Sequence, residues 1–217
     1  MGSSIKTSKA NELKMPILKK SFWDTTGLNK HDYRTYVETG SYRGFMIENV
    51  IDEYESIHSI ELSTKWYAYC VFKFQNYKHV KLHLGDSKHI LPVVLKDICE
   101  PAVIFLDAHY SGGTTARGDT DTPLLDELEI VRERTYDDII IIDDICFLGA
   151  KGGAEPTKPI TDNNIWPSFQ YDWEDTTEEK VVKKMKKHYG VLSNKNLRMT
   201  TSPKEDQYIW YPNLPKQ

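Results

Sequence analysis

Apolar runs bounded by turn residues recur along the chain and alternate with segments of helical spacing. "YRTYVET" (33–39), "SIHSIEL" (56–62), "KHVKLHLG" (78–85), "PAVIFLDA" (101–108) and "DDIIIIDD" (137–144) read as five strands. Between the first two, "YRGFMIENVIDEY" (42–54) spaces Phe45, Met46, Val50, Ile51 and Tyr54 as a helix does. "STKWYAYCVFKF" (63–74) opens on Ser63, a good N-cap. "SKHILPVVLKDI" (87–98) reads as a helical segment interrupted, or begun late, at Pro92. "TPLLDELEIVRERT" (122–135) is a helix with Pro123 near its first turn. Five strands alternating with helices predict an α/β protein, a parallel sheet covered on both faces.

The rhythm changes after residue 146. Residues 147–175 are rich in Gly, Pro and Asn, with Trp166, Phe169, Tyr171 and Trp173 among them. This stretch reads as a lid or substrate insertion. Its aromatic faces suit sugar rings, or else pack the insertion onto the body. Trp166 and Trp173, with Tyr110, are the candidate substrate contacts. A charged helix follows, whose lysines Lys183, Lys184, Lys186 and Lys187 read as a solvated face. Two last strand-like runs, "VLSNKNLRMTT" and "DQYIWYP", predict an antiparallel hairpin.

Composition narrows the classes. At 217 residues the chain reads as a single domain, 1–217, with a polar segment 1–15 expected to be flexible. A formal net charge of −4 gives no global case for nucleic-acid binding. No run of 18 apolar residues predicts a membrane span. Cys70, Cys99 and Cys146 are scattered, which points to reduced thiols and a cytoplasmic compartment.

Candidate chemistry collects at the strand ends, where an open α/β sheet binds ligands. The first strand ends in Glu38-Thr39-Gly40-Ser41-Tyr42-Arg43-Gly44, a G-x-x-x-G turn that lets a ligand approach the backbone. Glu61, followed by Leu62, lies 21 residues beyond Gly40, the distance at which an acid commonly holds ribose hydroxyls. The third strand ends in "LGDS" with Asp86 and Ser87, the fourth in "LDAHYSGG" with Asp107, His109 and Tyr110, and the fifth in Asp143-Asp144. Two adjacent aspartates repel each other, so they reach water or face a cation.

In that order, "VETGSYRG", "IELS", "LGDS", "FLDAHYSGG" and "IIDD" resemble a class I S-adenosylmethionine-dependent methyltransferase. The acid set is closest to metal-dependent sugar O-methyltransferases, with catechol-type O-methyltransferases related. The resemblance implies a Rossmann-like, doubly wound, mostly parallel seven-stranded sheet with an antiparallel C-terminal strand. It implies S-adenosylmethionine as cofactor, with Glu38, Thr39, Gly40, Ser41 and Gly44 along its methionine part. Glu61 and Leu62 would lie at the ribose, Asp86 and Ser87 at the adenine. Asp107, also beside the cofactor, would bind Mg²⁺ or Mn²⁺ with Asp143 and Asp144. Where the sugar enzymes carry a second aspartate as general base this chain has His109, which with Asp107 is the candidate catalytic pair. The expected substrate is a sugar or glycan. A catechol-like molecule, or cofactor binding without turnover, are the alternatives. The polar N-terminus is compatible with a domain of a larger glycan-building enzyme, and the sequence sets no oligomeric state.

Overall fold

The computed structural model describes residues 17–154, 169–193 and 207–213. Segment 1–15, Trp166 and the turn of the last hairpin lie outside the described residues. Five strands run parallel: β1 (Thr35–Thr39), β2 (Ser56–Glu61), β3 (Val80–Leu84), β4 (Ala102–Leu106) and β5 (Ile139–Ile142). The insertion carries a two-stranded antiparallel ribbon, β6 (Lys151–Ala154) with β7 (Phe169–Asp172), which the sequence pattern did not predict. The last hairpin is β8 (Tyr189–Ser193) and β9 (Tyr208–Pro212), and β9 lies antiparallel to β5. The main sheet is therefore seven-stranded, in the order β3-β2-β1-β4-β5-β9-β8.

Strand alternation divides the core into two layers. Tyr36, Ile57, Phe105, Ile139 and Ile141 face one side, against Phe22 of α1 (Lys20–Thr26), Ile47 and Val50 of α2 (Phe45–Val50), and Cys70 and Phe74 of α3 (Thr64–Phe74). Val37, Ile60, Ile104, Ile140 and Ile142 face the other, against Leu91 and Val94 of α4 (Ser87–Lys96), Leu128 and Val131 of α5 (Leu124–Arg132), and Val181 of α6 (Glu178–Lys184). The four isoleucines of β5 thus serve both layers, which is why an unbroken apolar run is needed there.

Ser63 caps α3 as expected, accepting from the Trp66 N–H. Pro92 behaves differently from the expectation. It lies inside α4, which runs unbroken from its Asp86 cap. Burial of Leu91, Val94 and Leu95 against the sheet outweighs the one backbone hydrogen bond a proline removes. No helix among the described residues is long and apolar enough to cross a membrane. No disulfide joins the three cysteines.

The edge of the sheet opposite the strand ends is tied by one ion pair. Arg134 Nε donates to Asp138 at 2.7 Å, and its Nη atoms donate to the carbonyls of Leu95, Ile98 and Glu100. Asp138, fully buried, also accepts from the Ala102 N–H at the start of β4. Arg134→Ala is expected to cost about 3–5 kcal/mol in chemical denaturation, because it strands a buried carboxylate and leaves carbonyls unpaired. Arg134→Lys is expected to recover less than half of that, since an ammonium cannot reproduce the planar fork.

Candidate active site

The carboxyl ends of β1, β2, β4 and β5 open into a cavity of about 440 Å³, within the size range of small-molecule sites. Gly40 sets its floor. Its φ is 89°, and a Cβ there would lie 2.5 Å from the Asp107 carbonyl oxygen. Any side chain at position 40 would push the ends of β1 and β4 apart.

Of the residues expected at a cofactor, Gly40, Glu61, Leu62, Asp86, Ser87 and Asp107 line this cavity. Glu38, Thr39, Ser41 and Gly44 do not; they form the layer behind it. Glu38 is fully buried, accepting from Ser59 Oγ at 2.6 Å and Tyr36 Oη at 3.2 Å. Burial pushes its carboxyl up to about 8, although those two hydrogen bonds pull the other way. Ser41 bonds Ser59, and Gly44 lies where a Cβ would strike the Phe74 ring. These residues shape the turn from behind, and Gly40 and Tyr42 are the members of the turn that line the cavity.

Glu61 accepts two backbone N–H groups, from Tyr42 and Ser63, each at 2.7 Å. Burial raises its pKa, and the backbone donors oppose that rise. Asp86 accepts from the Lys88 N–H as the cap of α4. Loop 111–121 covers this side. Lys88 holds Asp119 at 2.6 Å, and the Trp66 indole donates to the Thr114 carbonyl at 2.9 Å. Lys88 and this cover emerge only in three dimensions; their partners are far apart in sequence.

At the other end of the cavity the two adjacent aspartates part company. Asp143 accepts from Gln207 Nε2 at 2.6 Å. Asp144 adopts a left-handed backbone, φ 54°, a region aspartate tolerates better than most residues. That turn directs its carboxylate to His109 Nε2, at 2.9 Å, while His109 Nδ1 faces Asp107 at 3.2 Å. Asp107, His109 and Asp144 each offer a ligand atom within 4.8 Å of the others. Of the expected trio, Asp107 and Asp144 meet in this cluster together with His109, and Asp143 lies beside it against Gln207. Gln207 carried no sequence signal for this, since it lies 64 residues beyond Asp143.

The electrostatics follow from that geometry. Burial alone would lower the His109 pKa, but the charge of Asp144 and hydrogen bonds to both acids hold it well above its ordinary value. Both ring nitrogens are engaged by carboxylates, Nδ1 by Asp107 and Nε2 by Asp144. Asp143 is pushed well up by burial and by the charges of Asp107 and Asp144.

Tyr110, Phe147 and Phe169 line the aromatic side of the cavity. Trp173 does not. It is 2% exposed and packs edge-on beneath His109, with ring centroids 5.6 Å apart. The expected substrate contact at Trp173 is replaced by support of the imidazole, because β7 delivers Trp173 to the core rather than to the rim.

No protein-family model matches the sequence, and no curated protein matches it. Solved structures do. An O-methyltransferase from Bacillus cereus in complex with S-adenosylhomocysteine is similar at 13% identity and a TM-score of 0.55, over 89% of this chain and 78% of that one. A methyltransferase from Podospora anserina bound to S-adenosylhomocysteine is similar at 16% identity and a TM-score of 0.50, over 82% and 71%. A candidate rRNA methylase from Clostridium thermocellum is similar at 14% identity and a TM-score of 0.51, over 89% and 96%. The names of these proteins span different acceptors, so the likeness fixes the fold and leaves the substrate to the site. The chain has the Rossmann-like fold of S-adenosylmethionine-dependent methyltransferases.

Proposed function

We propose that this protein is an S-adenosylmethionine- and divalent-cation-dependent O-methyltransferase acting on a hydroxyl of a sugar or glycan. The observation that carries the reading is the Asp107–His109–Asp144 cluster, which opens into the same cavity as Gly40, Glu61 and Asp86. Glu61 takes the ribose hydroxyls of the cofactor, and Asp86 and Ser87 border its base. The cofactor supplies a methyl group on a positively charged sulfur. The donor set of two carboxylates and an imidazole fits Mg²⁺ or Mn²⁺, with the nitrogen favouring Mn²⁺. Such a cation would hold neighbouring hydroxyls and lower their pKa. Asp143 lies outside this set and, with Gln207, braces the strand end behind it. Tyr110, Phe147 and Phe169 offer flat faces to the acceptor. Those same faces suit a catechol-type acceptor, which also presents vicinal oxygens, and this is the second reading.

Calorimetric titration of S-adenosylhomocysteine, followed by turnover on panels of sugars and catechols, tests the proposal. Binding, and methylation of sugars that stops in excess chelator, is the expected result; full activity in chelator would remove the cation from the reading. Methylation of catechols alone would select the second reading.

Metal binding has its own readout. His109 must shed its proton to ligate, so Mn²⁺ affinity is expected to rise with pH and binding to release about one proton. Titration in buffers of different ionisation enthalpy measures that proton. Asp144→Asn is expected to abolish Mn²⁺ binding, whereas Asp143→Asn, one layer out, is expected to weaken it by about 10–100-fold.

A further inference from the structure

Helix α5 buries Leu124, Leu128 and Val131 against the sheet, and Glu127 with them. An apolar side chain would fill such a place without electrostatic cost, whereas a buried carboxyl without donors is destabilising. The hydroxyls of Thr39 and Ser87 face it, yet neither Glu127 oxygen meets a donor in hydrogen-bond geometry among the described residues. Trp173 presents the converse. It is buried as well, and its indole N–H meets no acceptor among the described residues.

Both side chains line a second cavity of about 10 Å³, which Asp107, His109, Asp143 and Thr122 also border. That volume is at the size that admits a single water. A buried donor and a buried acceptor on one water-sized cavity are satisfied together by a water that accepts from the first and donates to the second. The Thr122 hydroxyl brings the polar groups on this wall to the number, about three, that internal waters bond. Water also suits the acid in either state. Burial pushes the Glu127 carboxyl up to about 7, and a water donates to the carboxylate or accepts from the neutral acid.

We propose that Glu127, Trp173 and Thr122 form a binding site for one internal water, and that through it Glu127 is a positioning residue for His109. The water accepts from Trp173 Nε1 and donates to the Glu127 carboxyl. It thereby fixes the indole against which the His109 ring packs edge-on, with centroids 5.6 Å apart. A contact path then runs from α5 through the water and the indole to the ring that Asp107 and Asp144 hold. The water site stands on packing and hydrogen bonding alone. Its effect on a metal rests on reading the Asp107–His109–Asp144 cluster as the cation site.

NMR of the protein with indole-labelled tryptophan tests the site, the Trp173 signal being identified by its loss in Trp173→Phe. A cross-peak between the Trp173 indole N–H and a long-lived water is expected in the wild type. It is expected to remain in Glu127→Gln, which keeps an acceptor, and to be lost in Glu127→Leu. Thermal melting checks that each variant is folded; should Glu127→Leu fail to fold, Glu127→Met takes its place. Absence of the cross-peak in the wild type would overturn the site, and so would its persistence in a folded apolar variant. For the positioning role, Glu127→Leu is expected to bind Mn²⁺ about 10-fold more weakly, and Glu127→Gln within about threefold of the wild type. Unchanged affinity in Glu127→Leu would overturn that role. Failure of the wild type itself to bind Mn²⁺ would instead overturn the cation reading. The His109 ring signals, expected to shift in Glu127→Leu and not in Glu127→Gln, would then decide the role, and no shift in Glu127→Leu would overturn it.

Discussion

A carboxylate is costly to hold away from water, and the carboxyl ends of β4 and β5 hold three within reach of one imidazole. The arrangement is tolerable because each acid has a different answer. Asp107 and Asp144 both meet the His109 ring, whose pKa they hold above its ordinary value, and Asp143 turns away to Gln207. Removing the positive ring would leave Asp107 and Asp144 facing each other with only solvent at the cavity mouth between them. The rest of the site is arranged around this constraint. Trp173 supports the ring from below, and Ser111 Oγ contacts its Nε2 at 2.8 Å. On the proposed reading a divalent cation would compete with the proton of His109 for this cluster.

Gly40 links that constraint to the other half of the cavity. Its Cα packs against the Asp107 carbonyl, and the Asp107 N–H donates to the Thr39 carbonyl at 3.2 Å. The glycine turn after β1 and the strand end that carries the acid cluster therefore share a backbone contact. Behind Thr39 lies Glu127 of α5, a 1%-exposed acid facing the hydroxyls of Thr39 and Ser87. Burial pushes its carboxyl up to about 7, those hydroxyls opposing the rise. The polar layer under the cavity thus runs from Ser87 on the Asp86 side to Thr39 beside the acid cluster.

Most of the fold was legible in the sequence, and the reasons are local. The β5 isoleucines, the Ser63 cap and the alternation of strands and helices each follow from periodicity within a dozen residues. The ribbon β6–β7 was not legible, because Gly152 and Gly153 weaken any strand signal and its partner segment follows a long insertion. Helix α4 contradicted a local rule at Pro92 because tertiary burial outweighed it. At the site, the acids at strand ends were legible because open sheets concentrate function there. What each acid touches was not. Asp143 and Asp144 are adjacent in sequence and divergent in space, and a single φ of 54° makes the difference. The turn after β1 was read as side chains along a ligand; its side chains mostly point into the protein. A glycine-rich turn offers backbone, so the residues beside the glycines stabilise the turn more often than they touch what it binds.

Loop 111–121 joins these pieces mechanically. At one end Thr114 and Asp119 are held by Trp66 and Lys88 on the side of Asp86. At the other, Asp121 pairs with Arg117 at 2.5 Å and accepts the Asp172 N–H of β7 at 2.7 Å. The Tyr110 N–H donates to the Asp121 carbonyl, and the Arg117 guanidinium lies 5.1 Å from the Tyr110 ring centroid. Asp121 is nearly inaccessible, so its pairing is far less screened than an ordinary surface contact, whereas the exposed Lys88–Asp119 bridge is worth little by itself. The loop is therefore anchored on the aromatic side through Asp121 and on the Asp86 side through the buried Trp66 indole.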